Sequence, residues 1–600
     1  MNISLLTYTQ PYDSIISIIL LYFLFTLSKF FFINLNKFNL SFFEIFNLTI
    51  IFTSCILYIL INFQIDYIFL RPYILITVSL LTITFSIKDY KKKIISKISY
   101  RNFFILFIFF ILALSPPTDA DSLDYHIGGP LEIIKNGKLI FREDWFHYYL
   151  ISYGEMMNLF GLINGSKNFG QLINFIAIVN IFYIFSLIKN KFNSKLDIHL
   201  FLFALPLIIW FVTSSKPQLY QSSLILYGFY LVIVGIKNQE IVNNKNIIIL
   251  SIFYTFCIYS KISFIFSISI LNLLLLIYNK KIVIKKYIAL IFLIFLILGL
   301  PKLGSDYYVY GKFFFPYIEI YLNFANLEIV NFLNTLKNDS ATLYNIERKF
   351  IIFTPLLLSV PFKISTLSAM LSLNFIFLYL SFFLLVINFT KKKNSNLSFF
   401  LFILIFLILL ILGLMPNLQP RYMLEVYWLH IITLFIFLKS EKLIKFINRI
   451  NFLQTCLIIA FSIISIFNLT IGSLSKDQYL KVMRKNAHNF NQAEWILNNI
   501  GKDKIILSEN LRSYVFLKNF LSREKYFKFY EDNQIKLLEN GKYDYISLNY
   551  PIKSKEIKNF IKRCTDYKNA KTESFNIETR NFLSPIRKKE QQIILLKKIC

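Results

Sequence analysis

The sequence has few charged residues and few of the residue types that build disordered, collagen-like or disulfide-rich chains. Charged types make up 16% of the 600 residues, and there are 16 glycines, 15 prolines and 5 cysteines. These counts exclude a low-complexity chain, a collagen and a small disulfide scaffold. The charged fraction lies well below the roughly one quarter usual in soluble domains, which excludes an ordinary soluble multidomain enzyme. The sequence also lacks a P-loop, a GxGxxG or HExxH motif and any repeat of solenoid period.

Apolar residues, by contrast, are abundant. They make up 56% of the chain, Phe alone occurs 67 times, and the mean hydropathy is +0.57. Apolar runs bounded by polar clusters are typical of membrane-spanning helices, so we predict a polytopic all-α membrane protein with about 13–14 transmembrane helices. The predicted spans are Ser14–Ile33, Phe42–Phe63, Tyr67–Ile87, Asn102–Leu114, Gly170–Ile188, Ile198–Val212, Ser222–Ile236, Ile247–Tyr259, Ile262–Tyr278, Tyr287–Leu300, Ile364–Asn388, Leu397–Met415, Tyr422–Leu438 and Thr455–Gly472.

The formal charge of +30 arises from 64 Lys and Arg against 34 Asp and Glu. In a soluble protein this excess would indicate nucleic acid, but in a membrane protein the positive-inside rule explains it. Lysine clusters such as Lys88–Arg101 and Lys237–Lys245 follow alternate spans. We therefore predict a multi-pass protein of the inner (cytoplasmic) membrane with cytoplasmic lysine clusters. The N-terminus and the C-terminal tail are expected on the periplasmic side, and no nucleic-acid partner is expected.

The chain divides by composition into three parts. We predict additional transmembrane helices and a basic cytoplasmic loop over residues 1–101, a transmembrane catalytic region over 102–474 with external loops 115–168 and 301–349, and a small periplasmic α/β domain over 475–600. In the last part a helix is predicted at Ala493–Ile500 and short strands at Lys504–Ser508, Ser513–Leu517 and Tyr543–Leu548. Cys564 and Cys600 lie in this tail, where a disulfide and two free thiols both remain open.

Three carboxylates follow the span Asn102–Leu114 at its external end. Asp119, Asp121 and Asp124 fall within six residues, after a Pro-Pro pair that ends the span. Carboxylates at a membrane rim cost desolvation energy, so a cluster there indicates a partner or a function. A helical turn from Asp121 would place Asp121, Asp124 and Tyr125 on one face, where one carboxylate could act as a general base. An N-cap followed by a solvated acidic loop is the structural alternative.

Basic residues recur at external span ends, where topology does not require them. Lys216 lies in Ser-Ser-Lys-Pro-Gln, Lys261 is the polar break in a long apolar run, and Arg421 lies in Pro-Arg-Tyr. Arg suits bidentate phosphate contacts and Lys supplies a point charge. Together these residues predict an external site with a base and phosphate-binding cations. Each of them alone could equally be a snorkelling side chain.

The order of these motifs resembles the GT-C superfamily of integral-membrane glycosyltransferases, nearest to the glycosyltransferase family 39-like protein O-mannosyltransferases and aminoarabinose transferases. Asp121-Ser-Leu-Asp-Tyr-His resembles the Asp-Glu-x-x-Tyr/His signature of the first external loop. Gly311–Pro316 resembles a Gly-Asn-Pro-Phe-x-Pro loop, and Pro420-Arg-Tyr resembles a late Arg-Tyr motif. Lys261 falls where members often carry a lysine between two short spans. The helix predicted in the tail resembles the start of their periplasmic domain.

This resemblance implies a transferase that uses a polyprenyl-phosphate-linked sugar donor and a lipid, glycan or protein acceptor, among membrane lipids. Asp121 would be the base of an inverting attack, and Asp119 or Asp124 would orient acceptor or sugar. Lys261 and Arg421 would hold the lipid phosphate. The predicted substrate-binding residues are Tyr125, His126, Lys216, Lys261, Arg421 and Tyr422. No cofactor is expected, and the residues give no support for a divalent metal.

Two other functions remain open at this stage. An O-antigen polymerase or ligase is also polytopic and aromatic-rich, but it would favour a large late external loop with several arginines. A lipid or polysaccharide transporter would show internal repeats and broken spans at mid-membrane. In this chain the acidic cluster lies in the first large loop and the polar residues collect at the external rim. These features favour the transferase.

Overall fold

A computed structural model describes most of the chain. The described residues are 12–34, 40–62, 99–140, 142, 145, 148, 150–238, 244–278, 284–310, 372–391, 395–414, 420–500, 503–508, 519–522, 538–539, 541–552, 555–577 and 589–600. The predicted span Tyr67–Ile87, the predicted strand Ser513–Leu517 and the Gly311–Pro316 motif lie outside these residues.

The described part is a large helical bundle followed by a small α/β unit. In chain order its helices are α1 (Tyr12–Asn34), α2 (Phe42–Asn62), α3 (Tyr100–Ala113), α4 (Gly128–Asn136), α5 (Met156–Ile163), α6 (Phe169–Lys191), α7 (Ile198–Phe203), α8 (Leu207–Val212), α9 (Gln218–Asn238), α10 (Asn244–Ser260), α11 (Phe264–Tyr278), α12 (Ile284–Tyr310), α13 (Leu378–Thr390), α14 (Ser395–Leu414), α15 (Leu424–Phe437), α16 (Glu441–Asn468), α17 (Lys476–Asn486), α18 (Phe490–Ile500) and α19 (Lys555–Cys564). Short 3₁₀ turns precede α5, α13 and α15.

Among the described residues, seven helical segments are long and apolar enough to cross a membrane. They lie in α1, α2, α6, α9, α12, α13 with its preceding turn, and α16. Three shorter apolar helices, α3, α11 and α14, accompany them. The protein is therefore a multi-pass membrane protein, and the predicted helical fold class is confirmed.

Several predicted boundaries differ from the structure. The helix α16 begins at Glu441, well before the start predicted for its span at Thr455. The span predicted over Ile198–Val212 is two six-residue helices, α7 and α8, because Pro206 lacks a backbone N–H and interrupts the helical hydrogen bonds between them. The external loop predicted from residue 301 begins as helix, since α12 continues through Pro301 to Tyr310. A buried ion pair between Lys302 and Asp306, at 2.5 Å, lies in this extension.

The tail contains a five-stranded mixed sheet. Its strands are β1 (Ile506–Ser508), β2 (Phe520–Ser522), β3 (Tyr545–Tyr550), β4 (Lys571–Ile577) and β5 (Lys589–Lys597), in the spatial order β2-β1-β3-β5-β4. β1 pairs in parallel with β2 and β3, and β5 pairs antiparallel with β3 and β4. Leu507, Ile546 and Leu596 lie side by side in register and form the core of the tail with Phe560 of α19.

A disulfide joins Cys564, the last residue of α19, to the C-terminal Cys600. The two Cα atoms are 4.9 Å apart, and the bridge closes a separation of 36 residues. The question that the sequence left open is therefore answered in favour of pairing. Disulfides persist in oxidising compartments, so this bond bears on the location of the tail.

We predict that the Cys564–Cys600 bond protects both thiols in the native protein. Neither residue should react with a maleimide reagent until a reductant is added, and mass spectrometry of the tail peptides measures this. Cys564→Ser should lower the free energy of unfolding of the tail by about 3–4 kcal/mol for a loop of this length. Cys456→Ser, in α16, is the matched control and should leave the tail unchanged. Labelling of both tail thiols without reductant would contradict the assignment.

Candidate active site

The acidic motif leads into a short π-helical turn, which the segment containing Pro116 and Pro117 separates from α3. Pro116 and Pro117 end the preceding helix, and the turn runs from Ser122 to His126 with its backbone closed by Ile127 N–H donating to Ser122 O at 2.9 Å. Asp119 Oδ1 accepts a hydrogen bond from Ser122 N–H at 3.1 Å, so this carboxylate caps the turn. The local fold thus brings the carboxylates to the mouth of the bundle.

Lys216 lies between two of the three predicted carboxylates. Its ammonium nitrogen is 2.6 Å from Asp121 Oδ2 and 3.4 Å from Asp119 Oδ1. The Lys216 side chain is 4% exposed, and its nitrogen lies 4.0 Å from the centroid of the Trp210 ring. Backbone N–H of Ser215 donates to Ser122 Oγ at 2.8 Å, which fastens the α8–α9 loop to the acidic turn. A buried ammonium between two carboxylates is well compensated by charge.

Arg421 reaches the same carboxylate from the turn before α15. Its Nη1 atom is 3.4 Å from Asp121 Oδ2, across 300 residues of sequence. The guanidinium carbon lies 5.2 Å from the Tyr422 ring centroid and 5.8 Å from that of Trp210. Within the described part of the chain, Arg421 Nε and Asp119 Oδ2 are buried and have no hydrogen-bond partner. The N–H group at Arg421 Nε is thus left as a donor for a ligand, and Asp119 Oδ2 is left as an acceptor.

Lys261 joins this group through a side chain that sequence reasoning missed. Lys261 Nζ donates to Gln218 Oε1 at 2.8 Å, and Gln218 Nε2 donates to the Arg421 carbonyl at 2.9 Å. Lys261 Nζ also lies 5.0 Å from the centroid of the Tyr422 ring. Gln218 directly follows Pro217 and is the first residue of α9. Proline often begins a helix, so a polar residue next to it was the sequence feature that could have indicated Gln218.

The crowding of positive charge alters the titration of Lys261. Burial lowers the pKa of Lys261 well below its usual value, and the neighbouring Arg421 and Lys216 charges lower it further. Burial also raises the pKa of Tyr125 well above its usual value, helped by the Asp121 charge. Tyr125 is therefore a neutral phenol beside the ionic group, able to donate a hydrogen bond.

Asp124 and His126 are bound to other partners. The helical turn was expected to present Asp121, Asp124 and Tyr125 together, but the two carboxylates contact different groups. Asp124 Oδ1 accepts from the indole N–H of Trp145 at 2.9 Å, whereas Asp121 contacts Lys216 and Arg421. The π turn accounts for this difference, since its backbone hydrogen bond spans five residues instead of four and so rotates successive side chains differently from an α-helix.

His126 pairs with a carboxylate that the sequence did not assign to the site. His126 Nδ1 lies 3.0 Å from Glu155 Oε1, and Glu155 Oε2 accepts from the Ser152 backbone N–H at 2.9 Å. Burial lowers the pKa of His126, and the adjacent Glu155 opposes this change. Glu155 acts as the cap of its turn, and the substrate-binding role of His126 remains a prediction.

We call Asp119, Asp121, Lys216, Lys261 and Arg421 the ionic cluster. Four separate chain segments supply its members: the turn after α3, the α8–α9 loop, the α10–α11 break and the turn before α15. Tyr125 and Tyr422 lie beside it. In the described residues no three His, Cys, Asp or Glu side chains converge in a way that could hold a metal ion.

The helical bundle shares its fold with a solved membrane protein. The crystal structure of ArnT from Cupriavidus metallidurans bound to undecaprenyl phosphate matches with a TM-score of 0.50 at 10% sequence identity, covering 82% of this chain and 96% of that chain. The structure of the same protein in the apo state covers the same shares at 10% identity, with a TM-score of 0.48. The predicted GT-C fold is confirmed by the first likeness, which bears on fold alone.

The chain belongs to the DUF1420 family. The family model of the DUF1420 N-terminal domain matches residues 2–483 and thus includes the N-terminal helices and ends within α17. A search of the curated proteins finds no match to the chain.

We predict that Lys216→Ala destabilises the protein strongly because it leaves two carboxylates without their shared cation. Breaking a buried pair of this kind costs about 3–5 kcal/mol. Thermal unfolding of the purified protein in detergent measures the change. In the double variant Lys216→Ala/Asp121→Asn, part of the loss should be recovered, since one uncompensated charge is removed.

Lys195→Ala is the control for this measurement. Lys195 forms an exposed ion pair with Glu441 at the opposite end of the bundle, and its loss should leave the unfolding temperature unchanged. Equal stability of Lys216→Ala and the wild type would show that the ionic cluster does not form as described.

Proposed function

We propose that this protein is a membrane glycosyltransferase that moves a sugar from a polyprenyl-phosphate-linked donor to an envelope acceptor, which is a lipid, a glycan or a protein. The ionic cluster carries the proposal: Lys216 and Arg421 contact the carboxylates at one rim of a GT-C fold. Lys261 joins them through Gln218. Cations that can stabilise the leaving phosphate and a carboxylate that can take a proton are the two requirements of this reaction.

The chemistry is an inverting substitution at the anomeric carbon. An acceptor O–H loses its proton to the Asp121 carboxylate as the oxygen attacks the sugar. The bond between the anomeric carbon and the phosphate oxygen breaks, and the lipid phosphate leaves with the electron pair. Lys261 and Arg421, with Lys216, stabilise the charge that develops on this phosphate. Asp119 orients the acceptor or the sugar, and Tyr125 and Tyr422 line the site.

Asp121 is preferred as the base over Asp119 because of its accessibility. The Asp121 side chain is 29% exposed, whereas that of Asp119 is 7% exposed and holds the turn through Ser122. A base must lie within hydrogen-bond reach of the acceptor hydroxyl, which favours the more accessible carboxylate.

A phosphate ligand would relieve the crowding of the cations. The pKa of Lys261 is lowered by burial and then by two nearby positive charges, so a bound anion stabilises its charged form. Arg421 Nε, buried and without a partner among the described residues, supplies a further donor. ArnT, whose fold this chain shares, has been solved with undecaprenyl phosphate, which makes this lipid the natural probe.

We infer that the ionic cluster faces the periplasm. Lysines occur at the opposite helix ends, in the last turns of α6 and α9, where the positive-inside rule expects the cytoplasm. The tail contacts the loop that follows the acidic turn, so both lie on one side of the membrane. Its disulfide favours an oxidising compartment on that side.

We predict that Asp121→Asn abolishes transfer while the protein still inserts and folds, because an amide cannot accept the acceptor proton. Mass spectrometry of envelope glycans and glycoproteins from a deletion strain, complemented with each variant, measures the product. Asn388→Asp, in the last turn of α13 and outside the ionic cluster, serves as the control for expression of a variant protein. Wild-type product levels in Asp121→Asn would remove the assigned base.

The same glycan profile distinguishes the other functions. A shift in polymer length or in whole-chain attachment would indicate a polymerase or ligase. Retention of an intact lipid-linked glycan on the cytoplasmic side would indicate transport. Either result would contradict transfer of a single sugar by this site.

We predict that binding of undecaprenyl phosphate weakens as the pH rises through the lowered pKa of Lys261. Below that pKa the ammonium is present and binds phosphate, whereas above it the amine must first take up a proton. Affinity should then fall by up to about tenfold per pH unit, and binding should take up protons. Calorimetry in buffers of different ionisation enthalpy, over about pH 6 to 9, measures both quantities.

Lys261→Arg is the matched variant for this experiment. Arginine keeps its charge throughout this range, so the affinity of Lys261→Arg for undecaprenyl phosphate should not change with pH once the phosphate is fully ionised. Identical profiles for the wild type and Lys261→Arg would contradict a Lys261 amine that must take up a proton to bind the phosphate.

A further inference from the structure

One edge strand of the tail sheet contacts the external loop. β2 lies at the edge of the sheet, beside β1, and begins with Phe520. Arg142 Nη2 donates to the Phe520 carbonyl at 3.1 Å, and Arg142 Nη1 donates to Glu132 Oε1 at 2.7 Å. The guanidinium carbon lies 5.2 Å from the Phe520 ring centroid. One arginine therefore joins the sheet of the tail to α4.

Trp145 continues this contact toward the acidic turn. Its ring meets Phe520 edge-on, with centroids 5.4 Å apart, and the Arg142 guanidinium lies 5.7 Å from its centroid. On the other side its indole N–H donates to Asp124 Oδ1 at 2.9 Å. Trp145 is 1% exposed and Phe520 is 6% exposed, so both are packed inside the protein. We call Arg142, Trp145 and Phe520 the tail clamp.

Gly128, directly after the acidic turn, leaves room for the Trp145 ring. A Cβ atom at Gly128 would lie 3.0 Å from the Leu123 carbonyl oxygen and 3.3 Å from the Trp145 ring. The indole therefore packs closely against the turn and can hardly shift without moving it. Since Trp and Asp124 are both buried, their hydrogen bond is charge-assisted and sheltered from water.

We propose that the tail clamp is a positioning device for the proposed transferase site, so that docking of the tail sets the geometry of the acidic turn. Phe520 and Arg142 hold the indole of Trp145, the indole holds Asp124, and Asp124 lies three residues after the base Asp121. The clamp touches neither Lys261 nor Arg421 among its described contacts. It therefore governs the catalytic step more than donor binding. This inference rests on the proposed function.

Hydrogen–deuterium exchange of the full-length protein in nanodiscs tests the clamp without any substrate. Phe520→Ala and Trp145→Phe should each raise exchange of the amides of residues 119–131, although Phe520 is nearly 400 residues away in sequence. Trp145→Phe keeps the aromatic packing and removes the N–H donor, so it reports on the Asp124 bond even where Phe520→Ala loosens the tail itself.

Phe575→Ala is the matched control. Phe575 packs against Trp495 within the tail, with ring centroids 5.7 Å apart, and lies outside the clamp. It should leave exchange of residues 119–131 unchanged. Unchanged exchange of this segment in both Phe520→Ala and Trp145→Phe would overturn the proposal.

The second measurement separates positioning from simple stability. Trp145→Phe should lower transfer about tenfold, the loss of one charge-assisted hydrogen bond, while its Kd for undecaprenyl phosphate stays within about twofold of wild type. A parallel loss of undecaprenyl phosphate binding, or full transfer despite raised exchange, would overturn the positioning role. Failure of the proposed function would appear elsewhere, as full transfer by Asp121→Asn or as no binding of undecaprenyl phosphate by the wild type.

Discussion

The buried ammonium of Lys216 between Asp119 and Asp121 is the interaction that organises this end of the bundle. Two carboxylates so close together at a membrane rim would repel each other and would seek water without this cation. The segments that supply these charges are bounded by prolines: Pro116 and Pro117 before the carboxylates, Pro217 after Lys216, and Pro420 before Arg421. Each proline ends or begins a helix, so the charged residue close to it lies at a helix end. The helix ends thus meet at one rim with their charges paired.

The N-terminal helices belong to this bundle more closely than their position in the sequence suggests. The amides of Asn47 in α2 and Asn180 in α6 hydrogen-bond at 2.9 Å, and Glu44 accepts from the Tyr227 hydroxyl at 2.9 Å. The Tyr58 ring lies 5.0 Å from Tyr153, two residues before the Glu155 that pairs with His126. Buried amides in an apolar environment favour one register of packing. The family match from residue 2 agrees with a unit that includes these helices.

Much of the ionic cluster could be predicted from the sequence because topology alone brings its members to one side. The parity of spans and lysine clusters placed Asp121, Lys216, Lys261 and Arg421 on a common face, and the structure brings them into one group. The break at Lys261 was readable because a single polar residue interrupts an apolar run. The helical bundle and the strands β1 and β3 were likewise visible as periodicity.

The remainder depends on contacts that no local pattern encodes. Gln218 joins Lys261 to Arg421 across some 200 residues, and Trp145 joins Asp124 to Phe520 across nearly 400. Local spacing predicted an α-helical turn at Asp121, whereas tertiary partners on both sides select a π turn that separates Asp121 from Asp124. Strand β4 is mostly polar, and the apolar run of β5 is confined to residues 593–596, so neither strand shows the alternation that marks a strand in the sequence.

The pairing of Asp121 with two cations also constrains how the proposed reaction begins. Lys216 and Arg421 are the groups that a phosphate would bind, and in the structure both contact Asp121 Oδ2. The phosphodiester anion of the donor competes with the carboxylate for these charges, so in the proposed reaction its arrival loosens Asp121 from them and leaves that oxygen for the acceptor hydroxyl. Asp121 must then move while the turn that carries it stays in place. The bond from Trp145 to Asp124, three residues further on, anchors the turn during that exchange. The base can move on an anchored turn only if Asp121 and Asp124 have different partners. Trp145, the partner of Asp124, lies outside the ionic cluster and therefore does not bind the phosphate.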